Sequence, residues 1–306
     1  MIFFVSGILA LIWFLHYVHN IRNQSVPLLK SKDEKHSVTL IKKIVKSHDT
    51  FLLRFAIPKP ATTLGLPIGK HIKLSAPNLK GKVSNLWNGE IDSESINGFI
   101  ERHYTPISKQ NTQGYFDLLV KCYTRCKKYP DGGKMSWHLQ SLDIDDTIEM
   151  SGPLGDIEYL TPGRVIVNKK EQYVEHLGII AGGSRITPVY QLLLAITENP
   201  NDHTKVSLIY ANKTIDDILL REELDEIAKT HQDQIKIHYT VDRVKDNEEW
   251  TGSVGFVDDI MIHTHLPLAT ELGTMILCCG PPSMIKYACI ENLRKLGYKN
   301  NQWGLF

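Results

Sequence analysis

The sequence predicts three parts in order: an apolar N-terminal helix, an antiparallel β-barrel domain and an α/β domain with a parallel sheet. Three observations lead to this prediction. An uncharged apolar run occupies residues 1–18, short β-rich segments with alternating polarity follow from His36, and strands and helices alternate strictly from Leu177. A chain of 306 residues is longer than one hydrophobic core usually serves, so two folded domains are expected after the N-terminal segment.

The N-terminal run MIFFVSGILALIWFLHYV (1–18) has no formal charge and is just long enough to cross a bilayer as a helix. A cleaved signal peptide, a membrane anchor and a buried helix are the alternatives. A signal peptide begins with basic residues and ends in small ones, whereas here basic residues follow the run, from Arg22 to Lys35. This bias places the C-terminal side in the cytosol. We predict a transmembrane anchor at 1–19 and a polar linker at 20–35.

Net charge and cysteine content exclude several classes of protein. A formal net charge of +1 provides no global positive field for nucleic acid. The five cysteines are too sparse for a disulfide framework, so a reducing compartment is expected for the folded part. Cys122 and Cys126 are four residues apart, but no second Cys or His pair completes a zinc site. We therefore predict no metal.

Residues 36–152 predict the antiparallel β domain. Six short segments mix β-branched and aromatic residues, and turn residues separate them. This pattern is typical of a small barrel or sandwich. Residues 78–98 are rich in Asn, Gly, Ser and acidic residues and predict a long loop between two strands. Residues 153–176 contain GPLG and PGR turns and predict an interdomain linker.

Residues 177–306 predict the α/β domain. The buried strand LGIIAGG precedes a helical pattern at 187–196, and three further strand–helix pairs follow. Strict alternation implies a parallel sheet with helices on both faces. Such sheets bind ligands beyond the carboxyl ends of their strands.

Two motifs of the β domain carry candidate ligand-binding groups. RHYTPIS (102–108) ends a strand whose alternation puts Arg102 and Tyr104 on one face. An arginine can grip a diphosphate, and a tyrosine ring offers a flat surface. GGKMS (132–136) opens a helix whose free N–H groups suit a phosphate. The alternatives are an ordinary strand end and an ordinary helix start.

Three features of the α/β domain carry candidate nucleotide-binding groups. GGSRITP (182–188) lies between a strand and a helix, where it either holds a dinucleotide pyrophosphate or forms a turn without ligand. CGPPSM (279–284) follows another strand and places Cys279 at the crevice, unless this thiol is a small core residue. Asp242 ends a third strand. It either accepts hydrogen bonds from a ribose and favours NADH over NADPH, or it is a turn residue.

In their order and spacing, these motifs resemble the ferredoxin–NADP reductase superfamily and, within it, the NADH–cytochrome b5 reductases. Stretches such as GLPIGKHI (65–72) and TVDR match as well, and the resemblance runs from about Val38 to Phe306. It implies an FAD-binding β-barrel domain at 36–152, followed by a Rossmann-like NADH-binding domain at 177–306.

The resemblance implies an FAD site in the β domain. Arg102 is expected to hold the FAD diphosphate, Tyr104 to lie against the flavin and Thr105 to contact it near its reactive nitrogen. Lys121 is expected near the flavin and the incoming NADH. The implied FAD-binding residues are Arg102, Tyr104, Thr105, Pro106, Ser108, Lys121, Tyr123, Gly133, Lys134, Met135, Ser136 and, from the second domain, Thr187.

The resemblance also implies an NADH site in the α/β domain. Its residues are Gly182, Gly183, Ser184, Asp242, Cys279, Gly280, Pro281 and Met284. Cys279 is expected to position the nicotinamide without acting as a nucleophile, and it joins Thr105 and Lys121 as the residues expected at the reacting rings. The implied activity is hydride transfer from NADH to FAD, followed by release of single electrons to cytochrome b5 or a similar haem protein.

The resemblance leaves the location and the partner surface open. The endoplasmic reticulum membrane and the mitochondrial outer membrane both suit one short anchor. Candidate lysines for steering toward the acidic rim of cytochrome b5 are Lys42, Lys43, Lys127, Lys128 and Lys134. The alternative is that these are solvated surface lysines.

The chain departs from the family pattern at two places. Arg185 stands where the family's GGTGITP turn has glycine, which permits a positive φ or close backbone approach. The arginine would clash with the pyrophosphate or grip it. A flavin-binding scaffold or sensor with impaired NADH turnover therefore remains a second hypothesis, and a reductase of another acceptor such as a quinone is a third.

The other departure is the length of the loop at 78–98, which exceeds that of the family's usual hairpin. This loop has three alternative interpretations: it covers the adenosine side of the flavin, it carries a partner surface, or it is a tolerated insertion.

Overall fold

The computed structural model describes residues 25–306. The predicted membrane anchor at 1–19 and the start of the predicted linker lie outside the described residues. Within residues 25–306, no helix is long and apolar enough to cross a membrane.

The first domain contains an antiparallel sheet of six strands and a separate hairpin. The strands are β1 (Lys35–Ser47), β2 (Thr50–Ala56), β3 (His71–Pro77), β4 (Leu86–Trp87), β5 (Glu90–Ile91), β6 (Phe99–Tyr104), β7 (Tyr115–Lys121) and β8 (Thr147–Leu154). The six-stranded sheet has the order β6-β3-β8-β1-β2-β7, and β4 pairs with β5. Helix α1 (Lys134–Ser141) packs against both edge strands, β6 and β7. The antiparallel β domain expected from the alternating segments is confirmed.

Alternation along these strands buries one face of the sheet. Val38, Leu40, Leu53 and Phe55 on β1 and β2 are fully buried in a common core, because successive side chains of a strand point to opposite faces. The apolar side chains that the sequence places at every second position therefore form the core on which α1 is held.

The insertion, residues 78–98, connects β3 to β6, as the sequence predicts, but it is not an irregular loop throughout. It contains the β4–β5 hairpin and one 3₁₀ turn at Ser93–Ser95. The Asp92 side chain accepts a hydrogen bond from the Glu94 N–H at 3.1 Å and so caps this turn. The insertion is therefore an ordered part of the first domain.

The segment 153–176, which the sequence predicts to be a linker, is a folded unit between β8 and β12. It contains the strands β9 (Ile157–Leu160), β10 (Arg164–Val167) and β11 (Lys170–Tyr173), which form an antiparallel sheet in the order β11-β10-β9. Ile157 and Val165 are buried in the same core as the second domain. The segment is ordered because its alternating apolar residues pack against that domain.

The second domain is built on a six-stranded parallel sheet, which confirms the predicted α/β architecture. Its strands are β12 (His176–Gly182), β13 (Lys205–Asn212), β14 (Ile235–Val241), β15 (Ser253–Val254), β16 (Thr274–Cys279) and β17 (Trp303–Leu305). The strand order is β15-β14-β13-β12-β16-β17, with parallel neighbours throughout. The chain adds β13, β14 and β15 on one side of β12, and β16 and β17 on the other side. The carboxyl ends of β12 and β16 therefore border the crevice in which such sheets bind ligands.

Helices cover both faces of this parallel sheet. They are α2 (Thr187–Glu198), α3 (Arg221–Thr230), α4 (Asp259–His265), and α5 (Glu291–Lys295), which continues a π-helical segment at Met284–Ile290. On β12, Leu177 and Ile179 pack with α2 and α3, whereas Ile180 packs with α4 and α5 on the other face. The continuous apolar run of this strand is explained by burial on both sides.

Candidate active site

Two cationic side chains of the first domain converge on one carboxylate. Arg102 Nη1 lies 2.5 Å from Glu94 Oε1, and Nη2 lies 3.3 Å from Oε2. Lys134 Nζ donates to the same Glu94 Oε2 at 3.0 Å. One carboxylate therefore holds the cationic side chains at the end of β6 and at the start of α1 close together.

The N-terminus of α1 adds backbone donors beside these cations. The N-cap residue is Gly133, and no side chain caps this helix. Gly132 has φ +73°, and a Cβ atom there would lie 2.8 Å from the Tyr123 carbonyl oxygen, so the turn requires glycine. The Ser136 hydroxyl accepts a hydrogen bond from the Tyr123 N–H at 3.2 Å. The turn thus holds uncapped N–H groups in a fixed position that suits a phosphate.

Lys134 is not a surface lysine. Only 3% of its side chain is exposed, and its ammonium group pairs with Asp92 as well as with Glu94. Both carboxylates belong to the insertion. The sequence does not indicate that they pair with Lys134. Lys134 is therefore not available on the surface to steer a partner, whereas Lys42, Lys127 and Lys128 are exposed.

The other residues expected at the flavin lie close to the core of the first domain or at the domain boundary. Thr105 and Thr187 are 7% and 8% exposed, and Pro106, Met135 and Ser136 are also buried. Burial raises the pKa of Tyr104 well above its ordinary value, so its phenol stays protonated. The Ser108 hydroxyl accepts a hydrogen bond from the Asp117 N–H at 3.2 Å and orders the turn after the motif.

Lys121 connects the two domains. Its Nζ lies 3.0 Å from Asp49 Oδ2 in the first domain and 2.6 Å from Asp217 Oδ1 in the second. Burial lowers the pKa of Lys121, but the hydrogen bonds to Asp217 and Asp49 outweigh it, so the pKa is raised. The ammonium group is therefore charged at neutral pH.

A second contact between the domains joins the two motif regions directly. The Tyr123 hydroxyl lies 3.1 Å from the Ser184 hydroxyl. Ser184 belongs to the glycine-rich turn after β12, and Tyr123 follows β7. This hydrogen bond and the Lys121 ion pairs bring the expected FAD residues and the expected NADH residues to the same interface.

At the carboxyl edge of the parallel sheet, the residues expected to bind NADH meet around Met284. A Cβ atom on Gly182 would lie 2.5 Å from Met284 Sδ and 3.2 Å from Pro281 Cδ, and one on Gly280 would lie 2.7 Å from the same sulfur. Gly183 has φ +55°. Gly182, Gly280 and Met284 therefore pack together at the crevice beside the ends of β12 and β16.

Cys279 lies at this crevice as a protonated thiol. It is 3% exposed, and burial raises its pKa to about 12, with the nearby Arg185 charge acting in the opposite direction. A thiol with a pKa so far above neutral is a poor nucleophile. This agrees with a positioning role for Cys279.

Arg185 occupies a backbone conformation that does not require glycine. Its φ is −81° and its ψ is 18°, a conformation open to ordinary residues. Its side chain is exposed, and its charge lowers the pKa of both Cys279 and His103, although burial is the largest influence on each. The substitution therefore adds a positive charge to the crevice between the domains without straining the turn.

Asn212 is a candidate site residue that the sequence motifs did not single out. It ends β13, is 5% exposed, and its side-chain nitrogen and oxygen have no hydrogen-bond partner within residues 25–306. The backbone carbonyl oxygen of Asn212 accepts a hydrogen bond from the backbone N–H of Asp242 at 2.9 Å. Asp242 is an exposed residue, but its carboxyl group is partly shielded from solvent. This desolvation is the largest cause of the raised pKa of Asp242. A buried amide with free polar atoms beside Asp242 suits a ribose.

Tyr210 supports the glycine-rich turn from below. It is fully buried, and its hydroxyl donates to the Gly183 carbonyl at 3.0 Å and accepts from the Leu219 N–H at 3.3 Å. Only its position on β13, opposite the turn after β12, reveals this role. Sequence alternation alone indicates a core residue.

We predict that Tyr210→Phe lowers the free energy of unfolding by about 1–2 kcal/mol, because the buried Leu219 N–H and the partly buried Gly183 carbonyl lose their partner. Urea denaturation measures this change, and the KM for NADH is expected to rise with it. Tyr239→Phe is the matched control, since its hydroxyl bonds to the exposed Asp225. Equal losses in the two variants would contradict the prediction.

Fold and site together define a two-domain oxidoreductase that binds FAD and NAD. An oxidoreductase FAD-binding domain model matches residues 37–159, and an oxidoreductase NAD-binding domain model matches residues 179–290. The chain is 41% identical to NADH-cytochrome b5 reductase 2 of Xenopus tropicalis, over 96% of this chain and 93% of the relative. It is 40% identical to NADH-cytochrome b5 reductase 2 of Homo sapiens, over 91% and 97% respectively.

A solved structure agrees with these relatives. The cytochrome b5 reductase domain of Ulva prolifera nitrate reductase superposes with a TM-score of 0.82 at 39% identity, covering 92% of this chain and all of that domain. The chain belongs to the NADH–cytochrome b5 reductase family. It is a flavoprotein oxidoreductase with FAD and NADH as cofactors, and the resemblance found in the sequence is confirmed.

The residues of the first domain fit FAD. Arg102 and Lys134 lie close enough to share one carboxylate, that of Glu94. The uncapped α1 N-terminus lies next to them and offers backbone N–H groups. A guanidinium group beside a helix N-terminus is a combination that suits a diphosphate.

Proposed function

We propose that the protein transfers a hydride from NADH to FAD and passes single electrons to cytochrome b5. The observation that carries this proposal is the contact of Lys121 with Asp217. It joins the strand end of the FAD domain to the NADH domain at 2.6 Å. Two nucleotide-binding domains held edge to edge allow two cofactor rings to meet in a fixed orientation.

In this proposal, each domain holds one nucleotide. Arg102 and the N–H groups of Lys134, Met135 and Ser136 bind the FAD diphosphate beside Gly133, whose own N–H donates to the Tyr123 carbonyl at 2.9 Å. Tyr104 and Thr105 orient the flavin. When bound, FAD accepts the hydride and releases electrons singly. Thr187, at the start of α2, closes the site from the second domain. The remaining proposed FAD contacts are Pro106, Ser108, Lys121 and Tyr123.

The glycine-lined crevice of the second domain holds NADH in this proposal. Gly182, Gly183 and Ser184 allow the pyrophosphate to approach the α2 N-terminus, and Gly280, Pro281 and Met284 shape the opposite wall. Cys279 positions the nicotinamide. Asp242 lies two strands from β12, about 10 Å at ordinary strand spacing, which suits the ribose and favours NADH over NADPH.

We also propose that the chain is held on a membrane by residues 1–19, with its two domains in the cytosol. The support is the uncharged run MIFFVSGILALIWFLHYV and the basic residues that follow it. Cytochrome b5 is the proposed acceptor because the relatives' names include it. Imaging of a tagged full chain distinguishes the endoplasmic reticulum from the mitochondrial outer membrane.

Rapid mixing of the FAD-loaded protein with NADH tests the proposed function. We expect complete bleaching of flavin absorbance at saturating NADH, slower bleaching with NADPH, and reoxidation on addition of cytochrome b5. Arg185→Gly is expected to leave the extent of bleaching unchanged, because the turn at Arg185 is unstrained. If NADH fails to bleach the flavin and Arg185→Gly restores bleaching, the scaffold or sensor hypothesis replaces this one. Reoxidation by a quinone but not by cytochrome b5 would change the acceptor.

A further inference from the structure

The insertion is fixed to the turn that precedes α1. The Asn88 side chain accepts hydrogen bonds from the N–H groups of Asp131 at 2.7 Å and Gly132 at 3.1 Å, and it donates to the Gly132 carbonyl at 3.0 Å. Trp87 Nε1 donates to the same carbonyl at 2.8 Å, and the Asp131 carboxylate accepts from the Lys82 N–H at 2.8 Å. These contacts hold the insertion in one place relative to the turn at Asp131 and Gly132.

The other end of the insertion is held by a buried ion pair. Lys134 Nζ pairs with Asp92, whose side chain is 6% exposed and also accepts from Asn78 Nδ2 at 2.9 Å. The adjoining 3₁₀ turn then carries Glu94 toward Arg102. An ordered segment therefore fixes the position of the Glu94 carboxylate next to Arg102.

Glu94 occupies one edge of the Arg102 guanidinium and leaves another edge open. Both N–H groups of Nη1 are engaged, by Glu94 at 2.5 Å and by the Glu101 carbonyl at 2.7 Å, and one N–H of Nη2 faces Glu94 at 3.3 Å. Of the five guanidinium donors, Nε–H and the second Nη2–H have no partner within residues 25–306. These two form a second bidentate edge, the kind that binds a phosphate.

We propose that Glu94 is a positioning residue for FAD: it locks the Arg102 guanidinium so that the Nε–Nη2 edge is presented to the FAD diphosphate. The inference rests on the proposed contact between Arg102 and that diphosphate. Lys134 bonds to the same carboxylate and offsets the negative charge that Glu94 brings near the phosphates. The insertion thereby acts on cofactor affinity without touching the flavin.

A pre-ordered arginine binds more tightly because its rotamer freedom is lost before the ligand arrives. Glu94→Ala is expected to weaken FAD binding about fivefold, the effect of ordering one long side chain. Asp92 remains as a partner for Lys134, so the variant leaves no buried unpaired ammonium group. Glu94→Gln keeps one acceptor for Nη1 and is expected to lie between the wild type and Glu94→Ala.

The test is a double-mutant cycle on the FAD dissociation constant. Full-length protein is stripped of FAD in chaotropic salt and titrated with FAD while flavin fluorescence is followed, for Glu94→Ala, Arg102→Ala and the double variant. Glu94→Ala is expected to have no further effect once Arg102 is absent, whereas a purely structural role would persist in that background. Glu90→Ala, an exposed acid of the same insertion, is the control and should leave the affinity unchanged.

Two results would overturn the inference while the FAD site stands. One is a Glu94→Ala variant that binds FAD more tightly, which would make Glu94 a competitor of the diphosphate. The other is an equal loss in both Arg102 backgrounds. If Arg102→Ala leaves FAD affinity intact, the proposed diphosphate contact itself is wrong. Melting temperatures of all variants identify any that fail to fold, and Glu94→Gln then replaces Glu94→Ala in the cycle.

Discussion

Replacing Arg102 with alanine is expected to weaken FAD binding about 100-fold while the protein remains folded. A hydrogen-bonded contact to a charged group contributes about 1.5–3 kcal/mol, and 2.7 kcal/mol corresponds to roughly 100-fold in affinity. The Arg102 side chain is 46% exposed at the end of β6, so its removal leaves no core cavity. Glu94 keeps Lys134 as a partner, and the insertion stays attached.

Fluorescence titration of the stripped protein with FAD measures this effect, and the melting temperature of the stripped protein checks the fold. Arg164→Ala is the matched control, because Arg164 is 52% exposed and forms a similar surface pair with Glu171 at 3.1 Å. A loss of FAD affinity no larger than that of the control would show that Arg102 does not bind the diphosphate.

Replacing Lys121 with methionine is expected to lower the free energy of unfolding by about 2 kcal/mol and kcat/KM for NADH at least about tenfold. The change leaves Asp49 and Asp217 facing each other without a cation, with side chains only 13% and 21% exposed. Breaking a fully buried pair costs about 3–5 kcal/mol, and partial exposure reduces that cost. The loss of the domain contact disturbs the alignment of the two nucleotide sites, to which the reaction rate is sensitive.

Urea denaturation and steady-state kinetics measure the two effects of Lys121→Met. Lys46→Met provides the matched control, since Lys46 also reaches the second domain but meets Glu223 at 3.9 Å with both side chains about two-fifths exposed. Such a pair contributes little. If both variants behave alike, the Lys121 ion pairs do not hold the domains in their working arrangement.

The sequence was sufficient for features that depend on local pattern. Alternating apolar positions such as Val38 and Leu40 predicted the antiparallel domain, and the strand-to-helix turn at Gly182 predicted the crevice of a parallel sheet. The order of the motifs predicted the family and both cofactors. Each of these is encoded within a few neighbouring residues, since strand and helix periods are short.

Other features of the site depend on residues that are far apart in the chain. Asp217 follows Lys121 by 96 positions, so no local pattern indicates that they pair. The same holds for Glu94 with Arg102 and Lys134, which meet only because the insertion is fixed to the α1 turn. Segment 153–176 resembled a linker, because its short strands are ordered by packing against the second domain.

The sequence by itself determined that this chain is a two-domain FAD and NADH oxidoreductase, because motifs and periodicity are local properties. Only the tertiary structure decided which distant residues meet at the domain boundary and beside the start of α1. It placed Lys121 between two aspartates, gave Arg185 a φ that needs no glycine, and brought Glu94 to the guanidinium of Arg102. The physical reason is that ion pairs and backbone conformation depend on distances in space, which the chain order does not contain.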